Sequence, residues 1–256
     1  MGASYSTLAR SKLYLKFLLR VLLLSSSNIS TIVVLRVCVF TITSTQHETL
    51  TSAEVKKGQP TKIYVHMATS KQVIGEFVKA LSVKQPTPGG GAAAAVGAAV
   101  GGAAASMAAA YTQRKKDRES GAAEKATALI DSIDLGSLLA AADDDAAAYA
   151  DLQRTWKDTA MTAEEKAKIE ATALAVPTAL LETCHSHIIS IKAFLPACNT
   201  NITSDAKVGI HQLAGAARAA YQTVLVNSPS KDEKNRLGQL LRDIGDVENE
   251  LLELNE

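Results

Sequence analysis

The chain has 256 residues, 47% of them hydrophobic but only 4% aromatic, and a formal net charge of +1. That length suits one domain, or one domain with an extension. The near-zero charge, with no long basic run in the main body, gives no support for nucleic-acid binding. Cys38, Cys184 and Cys198 are an odd number without metal-ligand spacing and read as reduced thiols, with no metal site expected.

Residues 1–66 stand apart. No acidic residue precedes Glu48, while Arg10, Lys12, Lys16, Arg20 and Arg36 are basic. Leu13–Leu24 and Ile29–Ile42 are apolar, yet charges interrupt them and neither reaches the roughly 20 apolar residues of a membrane span. A basic, Ser-rich, acid-free composition is that of an organellar transit peptide. Gly2 with Ser6 satisfies a loose myristoylation pattern, and Asn28-Ile29-Ser30 is a glycosylation sequon. Met67 offers a second start, which leaves three readings of the extension: a targeting segment, an upstream misplaced start, or a membrane-associated piece. The compartment, cytoplasmic or mitochondrial, depends on which holds.

From Met67 onward strand-type alternation is hard to find, and alanine is the best helix former, so an all-α bundle is expected. Val73, Ile74, Phe77, Val78 and Leu81 fall at helical spacing over 71–83, predicting one buried face. Pro86-Thr87-Pro88-Gly89-Gly90-Gly91 then stops that helix. Ala92 to Ala110 follows, uncharged and almost wholly Ala, Gly and Val. Gly97 and Gly101 make a Gly-xxx-Gly pair, but a run of alanine is too weakly apolar for a membrane span, and a central helix of a tight bundle is expected. A helix opened by a Gly-rich turn points free amides forward, a place for an anion or simply a tight interhelix turn.

Arg114-Lys115-Lys116-Asp117-Arg118 reads as a solvated helix end or a polyanion dock. Residues 124–137 and 138–156 read as helix with a break near Gly136. Thr162 and Glu165 form a capping box opening a helix to about His187, kinked at Pro177. His185 and His187, two apart, do not share a helix face, so a zinc pair is not expected. Ser204-Asp205 is expected to cap a helix through Val226, and Ser230 with Glu233 the last one.

Two segments could carry chemistry. Asp143-Asp144-Asp145 lies in an alanine-rich helix, where successive residues point about 100° apart and at most one or two can face inward. An inward carboxylate loses water, feels like-charged neighbours and has its pKa raised, which makes it a proton donor near neutrality. Tyr149, four residues on, could hydrogen-bond to Asp145. The bland alternative is a solvated acidic face. Asn199, Asn201 and Asp205 at a helix entrance form a loop with a cap, or hold a heterocycle rich in donors and acceptors.

The order Pro-Thr-Pro-Gly-Gly-Gly, Asp145-Ala-Ala-Ala-Tyr149 and Asn199-x-Asn201-x-x-Ser204-Asp205-Ala206 resembles the cyclodeaminase domain of formiminotransferase-cyclodeaminase and the related stand-alone methenyltetrahydrofolate cyclohydrolases, over roughly residues 70–250. The resemblance implies a dimeric helical bundle binding a tetrahydrofolate derivative as substrate, with no tightly bound cofactor. It implies Asp145 as the acid/base and Gly89, Gly90 and Gly91 as pocket lining. Asn199, Asn201 and Asp205 would hold the pterin or order its turn, and Arg114, Lys115 and Lys116 would meet the glutamate tail. Ala92 replaces a serine often found after the glycines. The reaction implied closes 5-formimidoyltetrahydrofolate to 5,10-methenyltetrahydrofolate with loss of ammonia. No formiminotransferase domain is recognised, so a separate formiminotransferase partner, the cyclohydrolase reaction giving 10-formyltetrahydrofolate, and a non-catalytic folate-binding module stay open.

Overall fold

The computed structural model describes residues 67–253; the expectations for residues 1–66, Cys38 among them, lie outside these. A 3-10 turn at Thr69–Lys71 leads into α1 (Ile74–Leu81), α2 (Gly90–Ala110), α3 (Lys115–Glu119), α4 (Ala122–Ser132) and α5 (Leu135–Lys157). A long α6 (Ala163–Phe194), a 3-10 turn at Leu195–Ala197, α7 (Thr203–Val226) and α8 (Lys231–Leu251) follow. The described residues contain no strand, as the composition predicted.

The bundle is organised around α2, which packs chiefly on α7 and α5. Its alanines are the reason. Ala95, Ala98, Ala105, Ala108 and Ala109 are fully buried, and their small side chains let neighbouring backbones come close. The tightest crossing is between glycines. A Cβ on Gly101 would lie 2.9 Å from the Leu213 amide nitrogen, and one on Gly209 would lie 2.8 Å from the Gly101 carbonyl oxygen. Gly97, the other member of the Gly-xxx-Gly pair, has room for a methyl group, 3.8 Å from Ala216 Cβ. Among the described residues α2 alone is long and apolar enough to cross a membrane, with mean hydropathy 1.6. Just over half of that window, 56%, is buried against the other helices, and α2 is the central element of the bundle. Larger side chains fill the space around it: Leu181, Ile188 and Ile191 from α6, Ile210 and Leu213 from α7, Leu237 and Ile244 from α8.

Local capping chemistry sets several boundaries. The Thr162 hydroxyl accepts from the Glu165 amide, and the Glu165 carboxylate takes the Thr162 amide in return. Ser230 accepts from the Glu233 amide at the start of α8. Gly121 has φ +75°, the left-handed turn between α3 and α4 that other residues adopt at a cost.

Four expectations need correction. The break expected near Gly136 lies at Ile133–Asp134, where the Asp134 carboxylate accepts from the Ser137 amide and caps α5. The helix from Thr162 continues through Pro177 past His187 to Phe194, because Ile188, Ile191 and Phe194 prolong its buried face. Helix α7 begins at Thr203 without a side-chain cap; Ser204 bonds to Asp205 instead. On α1 only Phe77 is buried, while Val73, Ile74 and Val78 are each more than half exposed, since this short helix touches the bundle along one line.

Candidate functional site

Helix α2 opens without a cap from its own chain end. Gly89 is extended, with φ −120° and ψ −161°, and has no side chain to offer. The Ala92 amide of the first turn faces Asp145 of α5 instead. A Cβ added to Gly91 would fall 2.0 Å from Asp145 Oδ1 and 2.3 Å from its Cγ, so the carboxyl rests directly on the glycine backbone. The anion in front of this helix N-terminus is therefore the protein's own carboxylate. Burial raises the Asp145 pKa above the ordinary range, while the Ala92 amide pulls it the other way without cancelling the rise. Of the three glycines only Gly91 requires the missing side chain. A Cβ on Gly90 meets nothing within 4 Å, and one on Gly89 only Pro86 O at 4.0 Å.

The acidic triplet divides as helical geometry demands. Asp144 points to solvent, and Asp143 is clamped by Thr69, whose amide donates to Oδ1 at 3.1 Å and whose hydroxyl donates at 2.9 Å. Thr69 carried no signal in the sequence, being 74 residues away. Tyr149 makes no hydrogen bond to Asp145; it is 38% exposed and stacks edge-on against Trp156 at 6.3 Å. That contact is local, between residues one helical face apart.

Next to Ala92 and Asp143, near neighbours of Gly91 and Asp145 in the chain, lies a cavity of about 730 Å³, bordered also by Gln72, Glu76 and Gln85 and by the Pro86-Thr87-Pro88 turn. Gly91 and Asp145 themselves are not part of its lining. A second hollow of about 320 Å³ shares Pro86, Thr87, Asp143 and Ala146 with it and extends along α5 to Gln153. The two form one cleft, large enough for a drug-sized ligand. Its carboxylates suit a ligand with amidine or amine donors.

The other predicted residues lie elsewhere. Helix α2 has 21 residues and is thus about 30 Å long, and the Asn199 segment sits at its far end. There the Asn199 side chain donates to Tyr111 O at 3.2 Å and accepts from the Asn201 amide at 3.1 Å, and its own amide donates to Thr112 Oγ1. Asn199 is 7% exposed, so its polar atoms serve the loop; Asn201 faces solvent and Asp205 is half-buried. Arg114 lies at the same end. It grips Asp117 through Nε at 2.7 Å and Nη2 at 2.8 Å, holding that carboxyl below the usual range. This pair caps α3, so the basic cluster opens a helix instead of closing one. Lys115 and Lys116 are exposed, Lys115 lying 3.8 Å from Glu119. Within one chain the structure sets Gly91 against Asp145 at one end of α2 and places Arg114 and Asn199 at the other, and does not bring these two groups together. No cluster of three or more His, Cys, Asp or Glu with metal-holding geometry occurs among the described residues.

The family model described as formiminotransferase-cyclodeaminase matches residues 73–245. Among solved structures, the formiminotetrahydrofolate cyclodeaminase of Thermotoga maritima is similar in fold, with a TM-score of 0.56 and 20% identity. The match covers 70% of this chain and 91% of that one. No curated protein matches.

Proposed function

Because the chain belongs to the formiminotransferase-cyclodeaminase family, we propose that it closes 5-formimidoyltetrahydrofolate to 5,10-methenyltetrahydrofolate and releases ammonia. The observation that carries the reading is the Asp145 carboxyl seated against the glycine backbone at the mouth of α2, beside a cleft of suitable size.

The chemistry asks for one mobile proton. Addition of N10 to the protonated formimidoyl carbon forms the new C–N bond and leaves a tetrahedral carbon bearing NH2. The N10 proton must then be removed and delivered to that nitrogen. Loss of NH3 breaks the old C–N bond and leaves the methenyl cation, so charge and atoms balance. A single carboxyl can take the proton and pass it on. Desolvation serves it in both directions, strengthening Asp145 as a base and keeping its acid form accessible. Asp143, fixed by Thr69, offers a charged acceptor to the donor-rich edge of the pterin. Asn199 orders a distant loop in this reading. Arg114, Lys115 and Lys116 lie at the far end of α2 and take no part in the cleft of the same chain. The uncharged stripe of Val100, Met107 and Tyr111 along α2 supports a homodimer.

The test follows methenyl absorbance with the full-length chain. Its appearance from 5-formimidoyltetrahydrofolate is expected, and Asp145→Asn should lower the rate about 10²-fold or more while folding is retained. Accelerated loss of the methenyl band from 5,10-methenyltetrahydrofolate would instead identify a cyclohydrolase. Folate binding without turnover of either would identify a binding module.

A further inference from the structure

The smaller hollow of the cleft, of about 320 Å³, is lined differently from the larger one. Ala146, Ala147 and Ala150 of α5 and Pro86 of the turn give it apolar sides, and Tyr149 gives it an aromatic one. The larger cavity instead carries the polar side chains of Gln72, Glu76 and Gln85. Asp143 borders both, so a carboxylate stands where the two hollows meet.

Helical spacing extends this lining beyond the hollow. Asp143, Ala146, Ala150, Gln153 and Lys157 recur at intervals of three and four residues and so share one face of α5. At 1.5 Å of rise per residue, Tyr149 lies about 9 Å along the axis from Asp143, Gln153 about 15 Å and Lys157 about 21 Å. Gln153 borders the hollow, and its side chain makes no hydrogen bond among the described residues. Lys157 is exposed and has no ion pair among them. Side chains on a helix lean toward its N-terminus, which directs the Lys157 stem back along the face. Arg154 is already taken, at 3.1 Å, by Asp151. The face thus runs from a carboxylate, past an apolar slot with an aromatic edge, to a free amide and a free cation.

A tetrahydrofolate has the complementary order: a donor-rich pterin, an aminobenzoyl ring, then the amide and carboxylates of glutamate. We infer that the substrate lies along α5, with Tyr149 flanking the aminobenzoyl ring, Gln153 donating to the benzoyl amide oxygen and Lys157 meeting the glutamate carboxylate. This placement rests on folate occupying the cleft and is the same for either folate reaction. The other cation at the cleft, Lys84, borders the larger cavity, where Glu76 and Asp143 favour the pterin's donors over a carboxylate.

The chain's single tryptophan, Trp156, stands edge-on to Tyr149 with ring centroids 6.3 Å apart, and so reports on the hollow. The experiment titrates the full-length chain with three ligands, by calorimetry and by Trp156 emission. They are 5-formyltetrahydrofolate, 5-formyltetrahydropteroate, which lacks the glutamate, and tetrahydrobiopterin, which lacks the whole arm. The first two should shift the emission and the third should not. Tyr149→Ala should weaken both arm-bearing ligands about 3- to 10-fold by calorimetry, and Tyr149→Phe should restore them. Lys157→Gln should weaken the folate about 2- to 5-fold and leave the pteroate unchanged. Both side chains are exposed, so the variants are expected to fold. Folate binding with unmoved Trp156 emission, unaltered affinity in Tyr149→Ala, or loss of glutamate discrimination in Lys84→Gln in place of Lys157→Gln would each overturn the placement while the folate reading stands. Absence of folate binding by calorimetry would overturn both.

Discussion

Replacing Gly91 by alanine sets two physical effects against each other at one position. The new Cβ would stand 2.0 Å from Asp145 Oδ1 and 2.7 Å from Oδ2, well inside van der Waals contact, so the carboxyl must swing away. Forced repacking of this kind costs about 1–3 kcal/mol. Alanine returns at most about 1 kcal/mol through its helix preference, so the net effect is a destabilisation of about 0–2 kcal/mol. Gly90→Ala, one residue earlier with nothing within 4 Å, has only the favourable part and should stabilise by about 0.5–1 kcal/mol. Urea unfolding followed by circular dichroism measures both. The decisive step is the double-mutant cycle with Asp145→Ala: once the carboxyl is gone, Gly91→Ala should become as benign as Gly90→Ala, a coupling of about 1–3 kcal/mol. Gly91→Ala should also slow the cyclisation at least about 10-fold, since a displaced carboxyl is out of reach of its proton. A Gly91→Ala variant as stable as Gly90→Ala, or a coupling of zero, would refute the contact as the reason for the glycine.

At the crossing of α2 and α7, Gly209→Ala drives a methyl group into the Gly101 carbonyl, a backbone atom that cannot rotate aside; a loss of about 2–3 kcal/mol is expected by urea unfolding. The Asp145 carboxyl, with its pKa raised in the folded state, binds its proton more tightly there than in the unfolded chain. Stability linked to it therefore falls as pH rises from its ordinary value of 3.8, and Asp145→Asn should gain on the wild type over that rise. Unfolding midpoints of both proteins between about pH 4 and 7 check the sign. Burial pushes the Cys184 thiol up to about 12, so it should resist alkylation in the native protein and react only on unfolding, which thiol titration reads directly. Thr162→Ala removes the hydroxyl half of the capping box, leaving the Glu165 carboxylate on the residue-162 amide, and should cost about 1 kcal/mol.

What the sequence disclosed was mostly local. The caps at Thr162 and Ser230 bind amides three residues away, so their residue types suffice to find them. The alanine run predicted a central helix, because side-chain size limits how close helices can lie. That at most one or two aspartates of the triplet can face inward followed from 100° per residue, although which of them does was not legible. Contacts between distant residues left no such trace. Nothing near Thr69 announces that it will hold Asp143, and nothing in Arg114-Lys115-Lys116-Asp117 distinguishes a helix-opening pair from a solvated tail. The apolar spacing in α1 was real but misleading, since periodicity reports which residues share a face and not whether that face is covered.

Two glycines of α2 face different neighbours: Gly91 takes Asp145 of α5, and Gly101 takes the backbone of α7. Between them run nine small residues, Ala92 to Val100, that set the angle from one contact to the other. Adding or deleting one of them would turn Gly91 through about 100° relative to Gly101 and shift it about 1.5 Å along the axis. The carboxyl would then meet a side chain where it now meets bare backbone. Substitution among small residues leaves that angle alone. The stretch acts as a ruler whose length matters more than its spelling, and indels within it should be far less tolerated than exchanges.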